Sequence, residues 1–146
     1  MPTSDEARII DIMKKNFLHA YLATCDGVQP MVRPVSPIIQ DCSNVWVSTM
    51  ANSRKVDQMR ANPRISLAFV ELPRGEKAAT VIGRAREVAD PEEKRRVWDL
   101  AGFDLSVHFP EGPASDLFSV FRIDVDKIEW RDKYVGGVKI YVPPGK

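Results

Sequence analysis

A seryl hydroxyl and two cations, Ser53-Arg54-Lys55, stand where a helix begins, for Val56 and Met59 supply the apolar stripe that follows and Asn62-Pro63 the stop. A helix N-terminus exposes unpaired N–H groups and carries about half a positive charge, so its first turn ordinarily collects acids. This one collects Arg54 and Lys55, which Asp57 only partly offsets. The segment Asp90-Pro91-Glu92-Glu93 has the ordinary arrangement: an N-cap, a proline at the first helical position and two acids on the dipole. One helix start is self-satisfied and the other lacks an anion. A hydroxyl, a compact ammonium and a guanidinium fork together suit a phosphate monoester dianion. The plainer alternative is a capping serine beside two solvated cations, as surface charge runs usually are.

Two further groups favour the anion. Arg33 lies on a proline-broken strand between Val32 and Val35, a half-buried setting in which an arginine needs a partner. Ser48 and Thr49 end the strand that leads into the helix, so their hydroxyls can reach the same ligand.

The elements that position these residues read as follows. Thr3 and Glu6 form a capping box, and Ile9, Ile10, Met13 and Phe17 recur at helical spacing, which predicts a helix over residues 4–16. Leu18 to Cys25 is a strand, Asp26-Gly27 the centre of a type I′ hairpin, and Val28 to Ile39 its partner. Pro30, Pro34 and Pro37 remove ladder donors, so that partner is an edge, bulged or bent. Val45–Thr49, Ile65–Val70 and Ala78–Val88 are strands, and a helix runs from Asp90 to Gly102. Residues 103–115 are a loop, Leu117–Val125 a strand, and Ile128 with Trp130 a last short one before a tail over about 135–146. Strands joined mainly by turns imply an antiparallel, mainly β sheet, closed into a barrel, with two or three helices outside.

The chain of 146 residues is one domain, long enough to bury about two-thirds of its extended surface without staples. Lys and Arg number 21 against 20 Asp and Glu, so no global field exists to hold nucleic acid, and any anion site is local. Cys25 and Cys42 have no metal-site spacing and no basic neighbour, and read as small apolar residues in a reducing cytoplasm. His19 reads as a structural histidine in an alternating strand, and His108 as a loop residue without an obvious partner. With two histidines, a His-rich metal centre is not expected, and no apolar run is long enough for a membrane helix.

The combined pattern Arg33-Pro34-Val35, Ser48-Thr49, Ser53-Arg54-Lys55 and Asn62-Pro63-Arg64-Ile65-Ser66-Leu67 resembles the pyridoxamine 5′-phosphate oxidase-like, FMN-binding split-barrel family, over about Phe17 to Trp130. The resemblance implies a six-stranded, Greek-key split β-barrel and a homodimer with FMN at the subunit interface. It makes Arg33, Arg54 and Lys55 the phosphate ligands, assisted by Ser53, and sets Ser48 and Thr49 beside the ribityl chain. Backbone at Pro34, Val35 and Ser36 would face the flavin ring. Trp130 resembles an aromatic that packs near the flavin from the second subunit; a core tryptophan in the last strand is the alternative.

Three departures bear on activity. Ile38 stands where the oxidases carry a lysine, no histidine follows Trp130, and Glu76 to Ala79 contains no glutamine. Oxidation of pyridoxamine phosphate is therefore not expected. The expectation is an FMN-dependent oxidoreductase acting on a small organic substrate with a nicotinamide donor or oxygen. The alternatives are a non-catalytic flavin-binding or stress-related module, and a deazaflavin- or haem-handling relative.

Overall fold

The computed structural model describes residues 2–146. Helix α1 (Ser4–Lys15) is closed at its start by reciprocal bonds between Thr3 and Glu6, and it buries Ile9, Ile12 and Met13. Strands β1 (Ala20–Asp26) and β2 (Gln29–Val35) form the first hairpin. Asp26 pairs with Gln29, so the two central residues are Gly27-Val28 rather than Asp26-Gly27. Gly27 has φ 59° and Val28 has a negative φ, the sign pattern of a type II′ turn and not of I′. A I′ turn here would force a β-branched residue to positive φ.

The single partner strand expected over 28–39 divides at Ser36-Pro37. Beyond it, β3 (Ile38–Asp41) leaves the hairpin and pairs with β4 (Asn44–Met50). With β5 (Arg64–Val70), β6 (Ala78–Glu87) and β7 (Phe118–Arg131), the strand order is β2-β1-β5-β6-β7-β4-β3, all pairs antiparallel. Pro30 and Pro34 thus lie on an edge strand, where a missing donor costs no second ladder.

Strand β7 is continuous over 14 residues, where the sequence suggests two strands. Its join is a bulge: Ile82 faces Lys127 but Gly83 faces Val125, which leaves Asp126 as the extra residue. A strand over Lys139–Tyr141, β8, pairs with the end of β7 inside the expected tail. The sheet therefore has eight strands rather than six, and β2 and β3, at its two ends, do not pair to close it. Helices α2 (Arg54–Ala61) and α3 (Pro91–Leu100) match the two remaining expectations.

Two apolar clusters hold these elements. The larger joins α1 to the sheet through residues such as Leu22, Phe69 and Phe121; the smaller, around Trp46, Phe109 and Phe118, lies under α3. Gly83 is required by the bulge, because a Cβ there would overlap the Asp124 carbonyl oxygen and stand 3.2 Å from the Val125 Cα. Backbone cannot yield as a flexible side chain can. Gly83→Ala is expected to cost about 1–3 kcal/mol, read as a lower urea midpoint at unchanged m-value.

Candidate functional site

Helix α2 presents the site because its other face is docked. Val56 and Met59 are buried in the larger core, and the Arg60 guanidinium donates to both Glu87 oxygens at 2.9 and 2.7 Å. Ser53 occupies the N-cap position with extended backbone but makes no capping bond to the helix. Its Oγ lies 3.2 Å from Thr49 Oγ1 instead; the Val56 N–H donates to Ser53 O at 3.2 Å, which leaves the Arg54 and Lys55 N–H groups for another acceptor.

Arg33, Ser53, Arg54 and Lys55 come together around one cavity of about 280 Å³. Arg33 reaches it from edge strand β2 and is held by neutral acceptors. Nη1 donates to Leu22 O at 3.2 Å and to Thr24 Oγ1 at 2.7 Å; Nη2 donates to Gln58 Oε1 at 2.7 Å. Thr24 Oγ1 in turn lies 2.6 Å from Gln58 Oε1. The guanidinium is aimed by this network without being neutralised. Among the described residues, no carboxylate forms a salt bridge with Arg33, Arg54 or Lys55.

The electrostatic consequence is a strained set of like charges. Burial lowers Arg33 from its ordinary value, and the neighbouring Arg54 lowers it further. Lys55 is lowered by burial first and by Arg33 second. Each shift disfavours the charged form, and a bound anion would reverse that bias.

Lys55 also lines a second, larger cavity of about 560 Å³. Pro34, Val35, Ser36, Ser48 and Thr49 line it too, so nine of the ten residues expected at the site border one or other of two cavities that share Lys55. Thr49 faces Ser119 across the β4–β7 ladder, which puts both side chains on one face. Ser119 Oγ is buried without a hydrogen-bond partner, a hydroxyl left over beside the Thr49–Ser53 pair. The uncompensated cations beside a largely apolar cleft fit a phosphorylated group that extends into it.

Trp130 is not brought to this cleft. Its ring is 1 % exposed in the larger core, with the Lys139 ammonium 4.8 Å from the ring centroid. Ile38, the position of the oxidases' lysine, is buried in the smaller core. His19 ends a short 3₁₀ turn and is exposed, not part of a strand. Cys42 is buried, and its thiol is pushed up to about 12, chiefly by burial and then by Glu6 and Asp41, which fits an inert apolar role.

Thr24, Gln58 and His108 are residues at the site that sequence reasoning missed. Gln58 lies three and four positions after Lys55 and Arg54, a helical spacing that would have placed it on their face. Thr24 enters by cross-strand register, which depends on which strands pair. His108 lines the larger cavity from the loop after α3. Among the described residues no cluster of His, Cys, Asp and Glu could hold a metal, and no helix is long and apolar enough to cross a membrane.

The sequence model of the family described as Pyridoxamine 5'-phosphate oxidase matches residues 14–131. No curated protein sequence matches the chain. Among solved structures, General Stress Protein 26 from Bacillus anthracis str. Sterne superposes with a TM-score of 0.77 at 17% identity, over 97% of this chain and 100% of that one. A heme binding protein from Mycobacterium smegmatis gives 0.74 at 18% identity, over 97% of this chain and 59% of that one. A FAD-binding protein from Mesorhizobium loti gives 0.58 at 28% identity, over 79% and 88%. The first two likenesses establish the fold, a split barrel with peripheral helices.

Proposed function

Because this chain belongs to the pyridoxamine 5′-phosphate oxidase family, we propose that it binds FMN, with the phosphate in the Arg33–Arg54–Lys55 cradle and the flavin ring in the larger cleft. The observation that carries this reading is the convergence of three cations without a carboxylate, one of them, Lys55, shared with an apolar cavity of about 560 Å³. That volume lies within the range of small-molecule sites, roughly 300–1,000 Å³. A FAD-binding relative of the same fold supports a flavin in general; the size and charge of the cradle favour the monophosphate.

The bound flavin would supply two-electron redox chemistry. The protein's residues would then bind and orient it: Arg33 fixed by Thr24 and Gln58, Lys55 at the junction, and the Ser48 and Thr49 hydroxyls along the passage between phosphate and ring. On this reading the protein is a cytoplasmic oxidoreductase acting on a small organic molecule. Stopped-flow mixing of the FMN-loaded protein with NADPH or NADH tests it, and bleaching of the flavin band within seconds is the expected result. No reduction by either donor would favour the flavin-carrying alternative, for which the missing lysine at position 38 speaks.

A second copy of the chain is proposed to cover the cleft. Tyr21 pairs with Pro34, and Val32, two residues along β2, shares that face; both apolar side chains are exposed beside the cleft. An apolar patch continuous with a flavin site is the surface a homodimer would bury. Light scattering of the loaded protein should give twice the chain mass.

A further inference from the structure

The larger cleft has two chemically different sides. One carries Lys55 and the hydroxyls already assigned to the cofactor. The other is built by residues 103–109, the segment that follows α3, and the cofactor reading does not use it. The segment is rigid. Phe103 stacks on Phe17 with ring centroids 5.8 Å apart, and Phe109 meets Phe118 edge-on at 5.0 Å. Leu105 and Phe109 are buried in the smaller core. The turn between them is closed by Asp104, which accepts from the Ser106 backbone N–H and hydroxyl, and by the Phe109 N–H, which donates to Leu105 O at 2.9 Å.

This anchoring leaves Val107 and His108 exposed on the cleft side. Asp104, the wall's carboxylate, accepts from Ser106 through Oδ1 and adds negative charge to the wall. Among the described residues nothing in the chain hydrogen-bonds or ion-pairs with the His108 imidazole, whose recorded contact is an edge-on approach to Phe109 at 6.5 Å. Lys55 is the sole cation among the described residues lining this cavity, and the cofactor phosphate claims it.

On this chain's side of the cleft a phosphorylated substrate would therefore meet apolar side chains, one imidazole and the Asp104 carboxylate, with no cation left to replace its lost hydration. A flat, uncharged molecule would bury its rings against Phe103 and Val107 and accept one hydrogen bond. Resting on the FMN reading, we propose that the 103–109 segment is the substrate wall, that His108 is its hydrogen-bonding contact, and that the substrate is a planar, uncharged carbonyl compound of quinone type.

Isothermal titration calorimetry of the FMN-loaded protein, with menadione and pyridoxal 5′-phosphate as probes, tests this. Menadione should bind and pyridoxal 5′-phosphate should not bind over the same concentration range. His108→Ala should weaken menadione roughly tenfold, the loss of one hydrogen bond, and His108→Gln, which keeps a neutral N–H donor, should recover most of it. FMN affinity should stay within about twofold in both variants. Pyridoxal 5′-phosphate binding as tightly as menadione, or His108→Ala binding menadione like the parent, overturns the proposal. If FMN loads and menadione does not bind, this proposal alone fails. If FMN does not load, the cofactor reading fails and takes this one with it.

Discussion

Replacing Arg33 and Lys55 together by alanine is expected to weaken FMN binding by roughly a hundred- to ten-thousandfold, since each removes a charge-assisted contact of about 1.5–3 kcal/mol. Lys55→Ala alone should leave the unliganded protein as stable as before or more so, whereas Arg33 also donates to Leu22 O, Thr24 Oγ1 and Gln58 Oε1 and its loss carries a structural cost. Lys55 is held below its ordinary value by burial first and by Arg33 second, so its charge is disfavoured in the free cradle and favoured by a bound anion. Opposite signs for affinity and stability are what a binding site produces and a structural ion pair does not. Flavin fluorescence quenching and thermal melts of the unliganded variants give the two readings. Gln58→Glu approaches the same point differently. It would place a carboxylate on the 2.7 Å contact with Arg33 Nη2 and cancel the charge without removing it. A loss of about tenfold or more in FMN affinity is expected. If Gln58→Glu binds FMN normally, the Arg33 charge is not what holds the phosphate.

Trp130→Ala is expected to lower stability by about 3–5 kcal/mol, because the ring is 1 % exposed in the larger core and its removal leaves a cavity. For a chain of this length that corresponds to a fall of roughly 6–20 °C in melting temperature. Trp130→Phe fills most of the space and should cost far less. In that variant FMN affinity should stay within about twofold of the parent, an order-of-magnitude margin for a side chain remote from the cradle. A large loss of FMN affinity in Trp130→Phe, with stability intact, would restore the ring to the cofactor site through a second subunit.

Local chemistry made the cradle legible from the sequence. Arg54 and Lys55 contradict the dipole of the helix they begin, and Arg33 sits among apolar neighbours on a strand with two prolines; both anomalies are visible without coordinates. The same prolines allowed β2 an edge, a bulge or a bend, and the structure gives it the edge. Long-range pairing was not legible. Nothing near Ser36-Pro37 says that the chain leaves one edge of the sheet for the other, which depends on Val45 pairing with Ile123, and nothing near Asp126 says that a bulge carries one strand through, which depends on Ile82 and Gly83. Lys139–Tyr141 is too short and too mixed to announce a strand before β7 offers it an edge. Thr24 and His108 entered the site by the same long-range route, whereas Arg33 and Lys55 declared themselves through charge and Gln58 lay within helical reach of Lys55.

The central claim is that the cradle exists for a phosphate. Parallel titration of the purified protein with FMN and with riboflavin, which share the ring and differ at that group, tests it most directly. FMN is expected to bind more tightly by roughly a hundredfold or more, the contribution of at least two charge-assisted contacts. Equal affinities for the two flavins would contradict the account.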